Sequence, residues 1–276
     1  MNEKKKHKIL DHPILAMFIF MIVFNIVSGL LSLTLLLSSD ESVKNIISAG
    51  IAAVTLIIME LIFTKVWFKG EFDTTLGLPN MKKGFMYIIP VLIAEIICVI
   101  IDRFMNPDVA MNNLVKCFAY AFIAGVAEEM LFRSYALANF MRICKSYKQM
   151  MTAVILTALV FGSVHIFNIF SGGNVDITIV QTVFAVFFGI ITAAIYLRTG
   201  SISYCMILHF VYDFIGMIYL DMAESGAMQG ALTIKAIADS AIISIVSAVV
   251  GLYIIRKSKY GEIREIWNKK WNIEGN

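Results

Sequence analysis

Long apolar runs alternate with short polar segments along the whole chain. Eight such runs can be marked, at about 14–37, 46–68, 85–104, 114–132, 150–170, 177–197, 203–220 and 233–255. At about 1.5 Å per residue, most of them are long enough for a hydrocarbon core about 30 Å thick. Lipid leaves no water to satisfy backbone groups, and the two-residue alternation of a membrane barrel is absent, so each run is expected to be a helix. The pattern predicts an all-α, polytopic membrane helix bundle of about eight transmembrane helices, forming a single integral membrane domain over residues 1–276.

Two polar connections carry a helical period of their own. In 134–149, Leu137, Phe140, Met141 and Cys144 fall at i, i+3, i+4 and i+7, with Arg142, Lys145 and Lys148 off that stripe. Ile263, Ile266, Trp267 and Trp271 do the same beside basic residues near the C-terminus. Both segments read as amphipathic helices at the membrane interface that anchor neighbouring spans.

Composition agrees with the pattern: 59% of the 276 residues are hydrophobic, 16% are charged, and mean hydropathy is +0.80. That excludes a soluble globular enzyme, a disordered chain and a collagen-like one. The formal net charge of +3 gives no reason to expect nucleic acid as a partner. Cys98, Cys117, Cys144 and Cys205 have no paired spacing, so neither a disulfide framework nor a cysteine zinc site is indicated. The basic residues are distributed unevenly. With a cytoplasmic N-terminus, 19 Lys and Arg fall on the inner side, and Lys44, Arg103, Lys116 and Lys235 are the 4 on the outer side. This bias predicts a multi-pass protein of the cell membrane with both termini cytoplasmic. The first run follows Lys4, Lys5, Lys6 and Lys8, but it is longer than a signal peptide's core and lacks a clear cleavage site, so a retained helix is expected.

An ionisable side chain at mid-bilayer costs at least about 2.5–3.5 kcal/mol, so each one in a span needs an account. They are Glu60, Glu95, Glu128, Glu129, His165, His209 and Asp213. Glu129 and Arg133 are four apart and can pair on one helix face, which leaves Glu128 free. Ala121, Ala124 and Gly125 before them would let another backbone approach closely. His209 and Asp213 are also four apart; they can share a metal, or Asp213 can orient the imidazole. Glu60 and Glu95 are expected to make interhelical hydrogen bonds or to face a hydrated groove. Two histidines and several carboxylates on three apolar helices form a parts list for activating water, by general-base action or on a divalent metal.

Three stretches carry a resemblance. Glu128-Glu129-Met130-Leu131-Phe132-Arg133 has the form EExxxR, Phe161 to His165 the form FxxxH, and His209 to Asp213 the form HxxxD. Together and in this order they resemble the CPBP family of CAAX prenyl proteases and bacteriocin-processing (Abi) proteins, over a core at about 114–220. The resemblance implies a glutamate- or metal-dependent intramembrane endopeptidase. In it, Glu128 and His165 activate water, His209 and Asp213 stabilise the oxyanion, and Glu129 and Arg133 hold the architecture. A divalent metal such as zinc, if used, would fall to Glu128, His165, His209 and Asp213. The prenyl-protein proteases usually have Asn at the last position. An ionised Asp213 cannot donate to an oxyanion, so protonation, metal binding or orientation of His209 is what suits it.

The expected cavity lies in the inner half of the membrane, with lateral or cytoplasmic access for a peptide or protein substrate, lipidated or not. Helical rise puts Glu128 and His209 each about 9 Å from the inner edge but His165 about 22 Å, so the fifth span is expected to project past the cytoplasmic surface. Bacteriocin or pheromone processing and self-immunity are the expected roles. A non-catalytic immunity or regulatory scaffold and an ion or proton transporter are the alternatives; Glu60 and Glu95 suit the transporter better.

Overall fold

The computed structural model describes residues 12–33, positions scattered between 39 and 72, and residues 76–107, 113–219, 228 and 232–273. Glu60 and the basic cluster at Lys4–Lys8 lie outside the described residues. Among those described, the chain is helical throughout. Helix α1 is Pro13–Ser32 and α2 is Met81–Met105. Helix α3 (Leu114–Ile123) opens on Asn113, whose side chain accepts from the backbone N–H of Val115 at 2.9 Å and of Lys116 at 3.1 Å. It runs on through two π-helical stretches, Ala124–Glu128 and Met130–Leu137, into α4 (Ala138–Ile143). Helix α5 (Tyr147–Val164) ends in a 3-10 stretch, His165–Ser171, closed by Gly172 at φ 90°. Helices α6 (Val175–Thr199), α7 (Ser203–Met217), α8 (Ile234–Ile254) and α9 (Tyr260–Lys270) complete the order.

Four of these are long and apolar enough to cross a membrane: α2, α5 with its 3-10 continuation, α6 and α8. Their outer faces agree with that reading. Ile93, Ile97 and Ile100 on α2, and Ile245 and Val249 on α8, stay exposed although they are large and apolar. An apolar belt of this extent marks a membrane-facing surface. Inside, α6 packs between α5 and α8, α2 lies against α7 and α8, and the first π stretch lies against α7.

The stripe through 134–149 is buried as its period predicts, but it is not a separate interfacial helix. Leu137 and Met141 are buried on a helix continuous with the fourth apolar run, which therefore extends to Ile143, and Cys144, buried as well, is the extended residue that follows. The C-terminal stripe closes one end of the bundle. Ile263 and Trp267 are fully buried; the Trp267 indole donates to the Leu197 carbonyl at 3.2 Å, and that of Trp271 to Ala138 at 3.0 Å. Gly200, at φ 68°, makes room for this helix, since a Cβ there would meet Ile266 and Lys270 at 2.9 Å.

Loss of the indole that anchors α9 should be costly. Trp267→Ala should lower stability by about 3–5 kcal/mol, read as a lower thermal midpoint of the detergent-purified protein. Hydrogen bonds from Lys259 and from Arg198 hold the Glu262 carboxyl down at about 2, below its ordinary value of 4.5. Its contribution is therefore complete above pH 4.5 and is lost as pH falls through about 2. The effect should be small and salt-sensitive because the pair is solvated. Glu262→Gln should flatten the pH dependence of the midpoint across that window.

Candidate active site

The site begins with a close approach of two helices. A Cβ at Gly125 would lie 2.7 Å from the backbone nitrogen of Phe210, so α7 rests directly on the π stretch of the fourth run. One residue before Phe210, His209 is buried with its Nδ1 2.8 Å from Glu129 Oε1. Glu129 accepts, so His209 Nδ1 carries the proton of that bond. The other Glu129 oxygen faces Arg133 Nε at 3.1 Å. The guanidinium in turn donates through Nε to Thr192 Oγ1 on α6 at 2.9 Å, and its carbon sits 4.5 Å above the Phe161 ring. Thr192 reaches back to the Phe188 carbonyl at 3.1 Å. Glu129, Arg133 and Thr192 are all buried, and together they join three helices. The Glu129–Arg133 pairing is the one their spacing predicts. That Glu129 orients His209, and that Thr192 anchors Arg133, could not be read from the sequence.

Glu128 lies on the other side of the same imidazole. Its Oε2 is 4.0 Å from His209 Nε2 and 4.0 Å from His165 Nε2. Adjacent glutamates thus straddle one ring, because a π-helix turns less per residue than an α-helix and keeps successive side chains closer in direction. His165 starts the 3-10 stretch, and its Nδ1 donates to the Phe161 carbonyl at 2.9 Å, which leaves Nε2 as a lone pair facing Glu128. Asp213 Oδ2 is 3.4 Å from His209 Nε2. Asp213 thus contacts the nitrogen that faces the cavity, and Glu129, not Asp213, holds the opposite one. All four residues of the motifs that could touch substrate are brought together.

Glu128 Oε2 is enclosed and has no hydrogen-bond partner among the described residues. It therefore looks across 4.0 Å to two imidazole nitrogens with room for a small polar occupant. Zinc bonds of about 2.0–2.2 Å would set tetrahedral donors roughly 3.3–3.5 Å apart. A water bonded to both partners accommodates roughly 4–5 Å. Among the described residues no three His, Cys, Asp or Glu side chains are drawn up to hold a metal ion. The two 4.0 Å separations fit a water better than zinc, whereas the 3.4 Å between His209 and Asp213 lies within the zinc-donor range.

These side chains border a cavity of about 590 Å³, within the range of small-molecule and peptide sites. Its walls come from the C-terminal halves of α2 and α7, the N-terminal halves of α6 and α8, the end of α3 with the first π stretch, and the end of α5 with its 3-10 continuation. It extends into the half of the bundle remote from α9 and the basic residues near it, while His209 itself is six residues, about 9 Å, from the start of α7. The fourth helical run is longer than its hydropathy predicts. Because it continues to Ile143, Glu128 lies about 22 Å from that end, and His165 about 27 Å from the start of α5. The fifth span need not project by itself: the two helices run a similar distance past the site. Glu95, left without a motif by the sequence, also lines the cavity.

A membrane-embedded helical protein whose inner cavity presents a glutamate, two histidines and an aspartate has the makings of an intramembrane hydrolase. Residues 110–215 match a family described as type II CAAX prenyl endopeptidase Rce1-like, so the resemblance carried by the three motifs extends over the whole segment that contains them. The match supports a CAAX-type intramembrane protease in general. No curated protein and no solved structure matches the chain.

Gly125→Ala should drive α7 away from the π stretch and destabilise the protein by about 1–3 kcal/mol, the usual cost of overpacking. Gly261→Ala, where a Cβ meets nothing within 4 Å, should leave the thermal midpoint unchanged or raise it slightly. A Gly125→Ala protein with an unaltered midpoint would show that this contact is soft.

Proposed function

We propose that the chain is an intramembrane endopeptidase in which a water between Glu128 and His165 is the nucleophile. The observation that carries this reading is the unpartnered Glu128 Oε2, 4.0 Å from the Nε2 atoms of both histidines. A water there donates to Glu128 and to the lone pair of His165. As its oxygen bonds to the carbonyl carbon, Glu128 takes the proton. The carbonyl becomes an oxyanion facing His209, whose Nε2–H donates to it. Collapse breaks the C–N bond, and the proton held by Glu128 passes to the leaving nitrogen, giving an acid and an amine.

Asp213 acts here through His209. It accepts from the Nε2–H until a substrate carbonyl displaces it, so it need not donate to the oxyanion itself. Glu129 and Arg133 fix the imidazole from behind. A divalent ion, when bound, would polarise the carbonyl or the water; the donor spacing about Glu128 does not call for one, and no step above depends on it.

The apolar runs support eight spans in the cell membrane, multi-pass, and the charge distribution supports both termini being cytoplasmic. The cavity then extends into the outer half of the bilayer, and its substrate arrives from that side. Processing of a secreted peptide, a bacteriocin among them, or self-immunity toward one fits such access. An ion or proton pathway fits less well. On the α9 side of the site, Leu137, Ile195, Leu197 and Trp267 are fully buried and close the bundle with apolar side chains.

The test is cleavage of a peptide library by purified protein, with and without chelator. Glu128→Gln should lower the rate by at least about 10²–10⁴-fold at an unchanged thermal midpoint. Asp213→Asn, which keeps an acceptor beside His209, should retain activity, and chelator should leave it unchanged. Full activity in Glu128→Gln would refute the water-activation role.

A further inference from the structure

Beyond Glu128 and the two histidines, the cavity continues toward the far end of the bundle, where its charged lining is mainly acidic. Glu95, Asp102, Asp213 and Asp239 line it from α2, α7 and α8, and Lys235 is the single lysine or arginine among the described residues of the wall. That lysine is already engaged. Its ammonium contacts Asp239 and lies 3.6 Å from Asp102 and 3.4 Å from the Cys98 carbonyl. Glu95 has no such partner. It is only 5% exposed, and no hydrogen bond or ion pair among the described residues reaches its carboxylate, which borders the cavity.

The space beside it is shaped as well. An ideal Cβ at Gly216 would come within 3.3 Å of Glu95 Oε1, tighter than ordinary contact, so the absence of a side chain there leaves the carboxylate open. A buried carboxylate without a partner is among the most costly groups a membrane helix can carry. Interhelical hydrogen bonding, the simplest account of Glu95, is not what the geometry shows.

We infer that Glu95, on the same cavity wall as Asp213, forms a subsite for a cationic group of the substrate, a lysine or arginine side chain or a free amine. This rests on the protease reading and names the substrate class: a peptide that carries positive charge close to the bond cleaved. A cation reaching Glu95 completes the charge balance the protein leaves open and makes a charge-assisted hydrogen bond in a water-poor site. An acidic side chain at that position would instead meet carboxylates from α2, α7 and α8. The subsite therefore selects by sign of charge, and the surrounding apolar walls accept the rest of the peptide.

The experiment uses the full chain in detergent micelles. Fluorescein-labelled apolar decapeptides carry one lysine walked through all ten positions, with norleucine and glutamate counterparts at each position. Binding is read by anisotropy and cleavage separately by mass spectrometry. In at least one register the lysine peptide should bind about tenfold or more tightly than the norleucine peptide, with the glutamate peptide weakest. Glu95→Gln should remove most of that preference, and Glu95→Asp, which retains the charge, should keep part of it. Thermal midpoints of the two variants report their folding. Equal binding of the lysine and norleucine peptides, a preference unchanged in Glu95→Gln, or no binding of any peptide would overturn the proposal. Lysine-selective binding without cleavage would sink the protease reading alone, and cleavage indifferent to charge would sink only the subsite.

Discussion

Everything in the site depends on one buried carboxylate. Glu129 is fully enclosed, and it is tolerable there because Arg133 meets one oxygen at 3.1 Å and His209 the other at 2.8 Å. Leaving such a charge unpaired inside a protein costs several kcal/mol, so each partner is held in place by the penalty for moving away. The fourth helical run, α6 through Thr192, and α7 through His209 are thereby fixed to one another. The His209 imidazole takes its orientation from this triad. The absence of a side chain at Gly125 is the steric counterpart, since it brings α7 near enough for the 2.8 Å bond to form.

Glu128 shows the opposite treatment of the same residue type one position away. It faces the cavity, and its Oε2 has been left without a partner. The π-helical winding is what makes the contrast possible. It lets consecutive glutamates address the two nitrogens of one ring, the satisfied one behind and the unsatisfied one in front. In a regular α-helix the second carboxylate would point farther round toward a different neighbour. A local departure from the commonest helix thus separates a structural role from a chemical one within two residues.

Much of this is legible in the chain. Apolar runs give the helices, and the spacing of Glu129 and Arg133 gives their pair. The motif order anticipates that Glu128, His165, His209 and Asp213 converge. The stripe Ile263, Ile266, Trp267, Trp271 identifies a packed face, although periodicity alone cannot say whether that face meets lipid or protein. What the chain does not disclose depends on contacts between distant segments. Thr192 is one of several threonines in apolar helices, and nothing local marks it as the anchor of Arg133. The depth of the site is hidden for a related reason. Hydropathy ends the fourth run at the first strong charge, Arg133, whereas the ion pair with Glu129 lets the helix carry that charge inside and continue to Ile143.

For the same physical reason Glu95 is less legible than Glu128. A motif assigns Glu128 its partners within the amino-acid sequence itself; Glu95 belongs to no motif, and its surroundings are assembled from α7 and α8 far along the chain. Both carry an oxygen with no hydrogen-bond partner among the described residues, and both line one cavity. One carboxylate faces the imidazoles, where a proton can move, and the other faces open space large enough for a cation. Glu95 and Glu128 line the same cavity, so under the proposed function the position of a cation held at Glu95 would set which peptide bond is presented to Glu128.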